Sequence, residues 1–184
     1  LEFRRVLFRS YKMIIGYCGN FSVRHATETH IYRTLTELLG HKVIQFQENE
    51  VHTNEIEQQC IQNNVDLFLY TRTWGFIGNG NHLLSVLERN GIPTVSYHLD
   101  LYWGIEREKT MLGDPFWNTK YVFTPDGGSQ KQFKQAGINH FYLKPGVFEP
   151  ECYLGTKRNE FVADVAFVGA LDHYHPEWLP YRQI

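Results

Sequence analysis

Cysteine is scarce: Cys18, Cys60 and Cys152 are the three in 184 residues, and no CxxC pair occurs. That excludes a disulfide framework and a cysteine-based zinc site, and it fits a reducing cytoplasm. No run of 18 apolar residues exists, so no transmembrane helix is expected. Charge of one sign is also missing. With 18 basic and 20 acidic residues the formal charge is −2, which leaves no polybasic nucleic-acid arm and no acidic tail. Low-complexity tracts and internal repeats are absent too. What is present is a globular composition, 42% hydrophobic and 21% charged, which is too apolar for a disordered chain. Aromatics are abundant, with 11 Tyr, 13 Phe and 4 Trp.

The two ends read differently from the middle. LEFRRVLFRS (1–10) holds three arginines and one acid without helical or strand period and looks like a translated adaptor. Residues 1–12 are therefore expected to be a non-native leader, with Met13 as the natural start. PEWLPYRQI at the other end begins a helical pattern and stops, so the chain is expected to be a fragment of a longer protein.

Between the ends, Gly, Pro and Asn punctuate a regular alternation. Apolar runs of strand length occur at 12–18, 42–46, 65–70, 92–100, 120–126, 140–146 and 163–170. Helical spacing falls between them. It places Ile31, Leu35, Leu38 and Leu39 on one face of 28–39, and Ile56, Cys60 and Ile61 on the inner face of 54–63. A third helix spans 81–90 with Asn81 as its N-cap and Gly91 as terminator, and a fourth spans 129–136. Continuous apolar strands separated by helices indicate a parallel sheet buried on both faces. The expected fold is α/β, a Rossmann-like doubly wound, mostly parallel sheet. Residues 13–150 form this domain, 151–162 a linker, and 163–184 the start of a second α/β domain.

Ligands in such sheets sit beyond the carboxyl ends of the strands, where strand order reverses. Functional groups should then lie in 19–25, 71–78, 98–107, 124–129, 144–149 and 169–175. The first loop, GYCGNFSVRHATE, has Gly16, Gly19 and Asn20 but lacks the third glycine of a dinucleotide fingerprint. A phosphate could meet the helix N-terminus near Thr27. After the third strand, Arg72 and Trp74 are candidates to grip or stack on a ligand. The densest string is YHLDLYWGIERE (97–108), where His98, Asp100, Tyr102 and Trp103 follow a buried strand directly. A neutral imidazole there can bond a sugar hydroxyl or act as a base oriented by a carboxylate. The alternative is a histidine that caps its own strand. Glu106 and Arg107 read as a solvated ion pair. His173, His175 and Glu177 alternate faces around Pro176, so no metal site is expected. No nucleophile elbow, P-loop or catalytic cysteine context occurs.

These strings carry a resemblance. GYCGNF (16–21), TETH (27–30), LLGHKVIQFQENE (38–50), YHLDLYWGIERE (97–108), FTPDGGSQKQFKQAGINHFYLKPGVF (123–148) and DVAFVGALDHYHPEW (164–178) resemble bacterial glycosyltransferases of GT-B architecture, of the CgeB or spore-maturation type. Leu179 departs from the family's W-P. The resemblance implies two Rossmann-like domains facing a cleft, with this chain supplying the acceptor-side domain and the first strand of the donor-side one. The family's donor-binding acidic and basic residues have no counterpart in these 184 residues. The resemblance further implies His98 near the donor sugar and Asp100 orienting it or meeting the acceptor. Gly16, Gly19 and Asn20 would approach the donor–acceptor junction, and Gly169 and Ala170 the donor phosphates. The substrates would be a nucleotide-sugar and an unknown acceptor, with no cofactor and no metal. Two other readings stand beside it. One is a nicotinamide-dependent oxidoreductase using Glu48 or Glu50 on a ribose. The other is a non-catalytic α/β binding domain.

Overall fold

A computed structural model describes residues 12–103, 106–153, 155, 156, 158 and 159. The leader at 1–10, the seventh strand at 163–170, Gly169, Ala170 and the His173–His175–Glu177 string lie outside the described residues, as do the side chains of Glu106 and Arg107. The chain divides into two compact units, Leu1–Glu149 and Pro150–Ile184. The first of these holds the sheet.

Six strands form one sheet, β1 (Ile14–Gly19), β2 (Lys42–Gln47), β3 (Leu67–Tyr70), β4 (Thr94–Tyr97), β5 (Tyr121–Thr124) and β6 (His140–Tyr142). Their spatial order is β2-β1-β3-β4-β5-β6, and every adjacent pair is parallel. The helices between them are α1 (Thr27–Arg33), α2 (Thr53–Gln62), α3 (Gly80–Arg89) and α4 (Gln130–Gln135). This is a Rossmann-like doubly wound α/β fold.

Two apolar layers explain why the strands are unbroken apolar runs. Along β1, Ile15 and Tyr17 enter one layer with Leu69, while Cys18 enters the other with Phe46, Phe68, Leu83 and Phe133. A strand covered on both faces favours apolar residues at successive positions, and the polar ones it buries, such as Ser96 and Thr124, are hydrogen-bonded. Gly16 lies inside this packing and not in the loop beyond it. A Cβ there would stand 2.9 Å from Cys60 Sγ and 3.3 Å from the Phe68 ring. Its missing side chain lets α2 approach the sheet, so its part is close packing and not contact with a ligand.

The helices run close to the expected spans, with informative differences. The first does not stay α-helical to Leu39. Thr34 and Thr36 hydroxyls donate to the carbonyls of His30 and Tyr32 at 2.8 and 2.9 Å, and Thr34–Leu38 widens into a π turn. Such back-bonding by threonine competes with the helix ladder and bends it. Leu38 and Leu39 then lie exposed, 42% and 39%. Gly40 ends the helix at φ +68°, with the His41 amide bonded back to the Leu35 carbonyl. On α2, Ile56 and Cys60 are buried as expected, but Ile61 is exposed. The cap of α3 is Asn79, whose side chain accepts from the His82 amide at 3.0 Å. Asn81, the expected cap, sits in the first turn and accepts from Asn118. β4 ends at Tyr97, so His98, Leu99 and Asp100 belong to the loop. Two short 3-10 turns, Glu106–Gly113 and Pro115–Asn118, connect β4 to β5. The second carries Phe116 and Trp117 into the core.

Candidate functional site

Strand order reverses between β1 and β3. From β1 the chain moves outward to β2, then returns to the other side of β1. The loops leaving β1 and β3 therefore turn to opposite faces, and in sheets of this kind such a switch point is where ligands bind.

Three buried carboxylates line this edge: Glu28 on α1, Glu48 just past β2 and Asp126 past β5. Glu48 is 1% exposed, and its oxygens accept from the backbone amides of Thr73 (2.9 and 3.1 Å) and Trp74 (2.7 Å). Burial pushes its carboxyl above the usual range. The amides of Trp74, Thr73 and Gly75 pull the other way, and the nearby charge of Glu28 raises it further. Glu28 meets the same loop through the Thr73 hydroxyl at 3.3 Å. Beneath them Tyr17 Oη and Thr71 Oγ1 share a hydrogen bond of 3.1 Å, and burial pushes the phenol well up. Gly19 closes this corner. A Cβ there would meet Thr71 Oγ1 at 2.5 Å and Glu28 Cγ at 2.9 Å. Asn20 shapes the turn that follows, accepting from the Ser22 amide and hydroxyl and from Gln47.

The loop so pinned presents Trp74, whose side chain is 68% exposed. A rigid backbone carrying an open indole offers a flat apolar surface to a sugar face or a planar ring. Arg72, beside it, is tied through Nε to the Asp114 carboxylate. Asp114 in turn caps the Pro115–Asn118 turn by accepting from the Phe116 amide.

His98 lies one strand over, at the end of β4, with its amide bonded to the Phe123 carbonyl at 3.0 Å. Its Nδ1 accepts from the Asp100 amide at 3.0 Å. The neutral ring therefore carries its proton on Nε2. The group of Asp100 that meets the ring here is the main-chain N–H. The imidazole stands edge-on to Tyr102 and Phe116, with centroids 5.1 and 5.8 Å away. Tyr102 is only 5% exposed and packs on Trp117 at 4.9 Å, so its ring belongs to the aromatic core and not to a ligand surface.

The structure thus gathers Gly19, Asn20, Arg72, Trp74, His98 and Asp100 along one edge. Gly16 and Tyr102 lie inside the core. Sequence reading overlooked Glu28 and Asp126 and gave Glu48 a different task. The signal available for Glu48 and Asp126 was a lone acid directly after an apolar strand, where a solvated acid looks the same. An open groove of about 630 Å³ occurs elsewhere, toward the amino ends, among residues that include Pro93, Val95, Lys120, Tyr121 and Phe141. It lies away from the switch point, and the polar groups described above do not line it.

No protein-family model and no curated protein matches the chain. Among solved structures, one similar chain is the pyridoxal-5'-phosphate dependent protein YhfS from Escherichia coli. It is 17% identical with a TM-score of 0.35, over 50% of this chain and 25% of that one. The aligned part is thus a quarter of that protein, and a likeness this slight carries no functional argument. Among the described residues no helix is long and apolar enough to cross a membrane. The fold defines a Rossmann-like α/β protein whose strand order reverses between β1 and β3.

Proposed function

We propose that this chain is the acceptor-side half of a GT-B-type glycosyltransferase, one that moves a sugar from a nucleotide donor to an acceptor. The sequence resemblance suggests the reaction. The observation that supports it in the fold is that Trp74 and His98 both stand in loops leaving the carboxyl ends of the paired strands β3 and β4. Trp74 supplies a stacking surface for a pyranose ring. His98, with its proton on Nε2, supplies a donor for a sugar hydroxyl or a developing oxyanion, in the manner of preorganised electrostatic stabilisation. In this reading Asn20 and Glu28 shape the loops around the site, since both are buried and already accept hydrogen bonds from neighbouring loop groups.

The oxidoreductase reading draws no support from Glu48. Its carboxylate is occupied by the amides of Thr73 and Trp74 and is not presented to a ribose.

Saturation-transfer NMR on the chain with a panel of monosaccharides, oligosaccharides, nucleotide-sugars and NADH tests the proposal. Saturation of sugar protons that disappears in Trp74→Ala and weakens in His98→Ala is expected. Binding of NADH without any sugar would replace the reading with the oxidoreductase. Silence across the whole panel would favour a non-catalytic binding domain.

A further inference from the structure

Asp126 is 4% exposed, and each hydrogen bond of its carboxylate reaches toward the His98 loop or the strand beneath it. Oδ1 accepts from the amides of Tyr102 at 2.9 Å and Trp103 at 3.0 Å, and Oδ2 from Tyr102 at 3.1 Å. Oδ2 also accepts from the Thr124 hydroxyl at 2.8 Å. Thr124 Oγ1 is in turn 2.8 Å from His140 Nε2 and accepts from the Asp126 amide at 3.1 Å. A carboxylate only accepts, so the single Thr124 proton goes to Asp126. The bond from His140 must then run from Nε2–H to the threonine oxygen. The polarity of the network is settled: His140 donates to Thr124 and Thr124 to Asp126, while the amides of 102 and 103 donate to Asp126 from the other side. His140 is held flat against Phe133, centroids 3.9 Å apart, and its Nδ1 is buried without a hydrogen-bond partner. The ring therefore has one direction in which to spend its proton.

This network meets the loop that sets His98. The bond from the Asp100 amide to His98 Nδ1 exists only while residues 98–103 keep their turn. Asp126 holds the far end of that turn by two main-chain amides, and it seats Tyr102 with its ring at the edge of His98. We propose that Asp126, oriented by Thr124 and His140, is a positioning residue that fixes the tautomer and direction of His98. Whether His98 then serves a sugar rests on the transferase reading. Its positioning does not.

The test reads the imidazole itself and needs no substrate. In the uniformly ¹⁵N-labelled chain, two-bond ¹H–¹⁵N correlation reports which ring nitrogen carries the proton, with His98→Gln assigning the signal. Wild type is expected to show His98 as a single Nε2–H tautomer. Asp126→Asn cannot accept along both original directions, and the single tautomer should be lost to an exchanging mixture. Thr124→Val removes one bond to the carboxylate and should produce a smaller displacement in the same sense. Thr124→Ser restores the hydroxyl and should return the wild-type signal. Should Asp126→Asn fail to fold, the Val and Ser pair carries the test alone. A purely structural role would lower the melting temperature of these variants while leaving the His98 signal of the folded protein in place, and that result would overturn the proposal. If the signal moves as expected while no sugar binds, the positioning stands and the transferase reading fails.

Discussion

The carboxyl edge of the sheet has two halves that solve one problem differently. On the β1–β3 side, Glu48 reaches across from β2 to hold the Thr73–Trp74 backbone. On the β4–β5 side, Asp126 reaches back to hold the Tyr102–Trp103 backbone. In both, a buried carboxylate satisfies amides of the loop after a neighbouring strand. The outcome for the aromatic rings is opposite. Trp74 projects into solvent, whereas Tyr102 turns inward onto Trp117 and Phe116. The 3-10 turn at Pro115–Asn118 goes with the difference: its Phe116 and Trp117 rings pack on Tyr102, while its cap Asp114 pairs with Arg72 beside Trp74. A carboxylate staple fixes a backbone. What the side chains then do depends on what lies beside them.

Breaking the inner staple should have the largest effect. Asp126→Ala strands two loop amides in a buried setting, at roughly 1–3 kcal/mol each. A loss of about 3 kcal/mol in urea unfolding is expected. A loss under about 1 kcal/mol would mean that water replaces the carboxylate and the loop is not held from within.

Gly16→Ala sharpens the contrast between core and edge. The added methyl meets Cys60 Sγ and the Phe68 ring, and overpacking of this kind costs about 1–3 kcal/mol. Sugar saturation, if present, should survive it. Lost binding in a stably folded variant would return Gly16 to the site.

The two halves should also answer acid in opposite directions. Burial raises the Glu48 carboxyl in the fold. Its charged form therefore costs stability at neutral pH, and that cost is relieved as pH falls through the raised folded value toward about 4.5. Glu48→Gln should remove this relief, seen as a flatter stability curve over that window than wild type. Burial lowers the His140 imidazole, against a smaller raising effect of Asp126. Its stabilising neutral form is fully present above about 6.5 and is lost as pH falls from there toward the lowered folded value. His140→Gln should flatten the melting curve between pH ~7 and ~5. If wild type melts at one temperature across that range, burial of His140 has no energetic consequence.

The smallest effect on the fold belongs to Trp74→Ala. An open side chain contributes within about 0.5 kcal/mol, so calorimetry should barely register the change while ligand saturation vanishes. A marked fall in melting temperature would show that the indole packs on the fold and is not a surface for ligands.

Strand and helix positions were readable because burial on both faces leaves its mark in each strand separately. KMIIGYC and VDLFLY need no partner to be recognised as runs too apolar for solvent. Helix ends were less readable. Asn79 and Asn81 are equally good caps by residue type, and the helix takes the first, starting at Gly80. The loop position of Trp74 and His98 was also legible, because both follow apolar runs closely in the sequence.

What the sequence by itself determined is the layered α/β architecture and which loops leave the carboxyl ends of its strands. Apolar period and turn chemistry are local properties of the chain, and they suffice for that. Only the tertiary structure decided which groups are spent and which are offered. Glu48 and Asp126 look like solvent-facing acids until loops 25 and 24 residues away in sequence bring amides onto them. Tyr102 and Trp74 look alike until one is buried. A hydrogen bond between distant segments leaves no pattern in either, because it depends on strand order, and strand order is a property of the whole sheet.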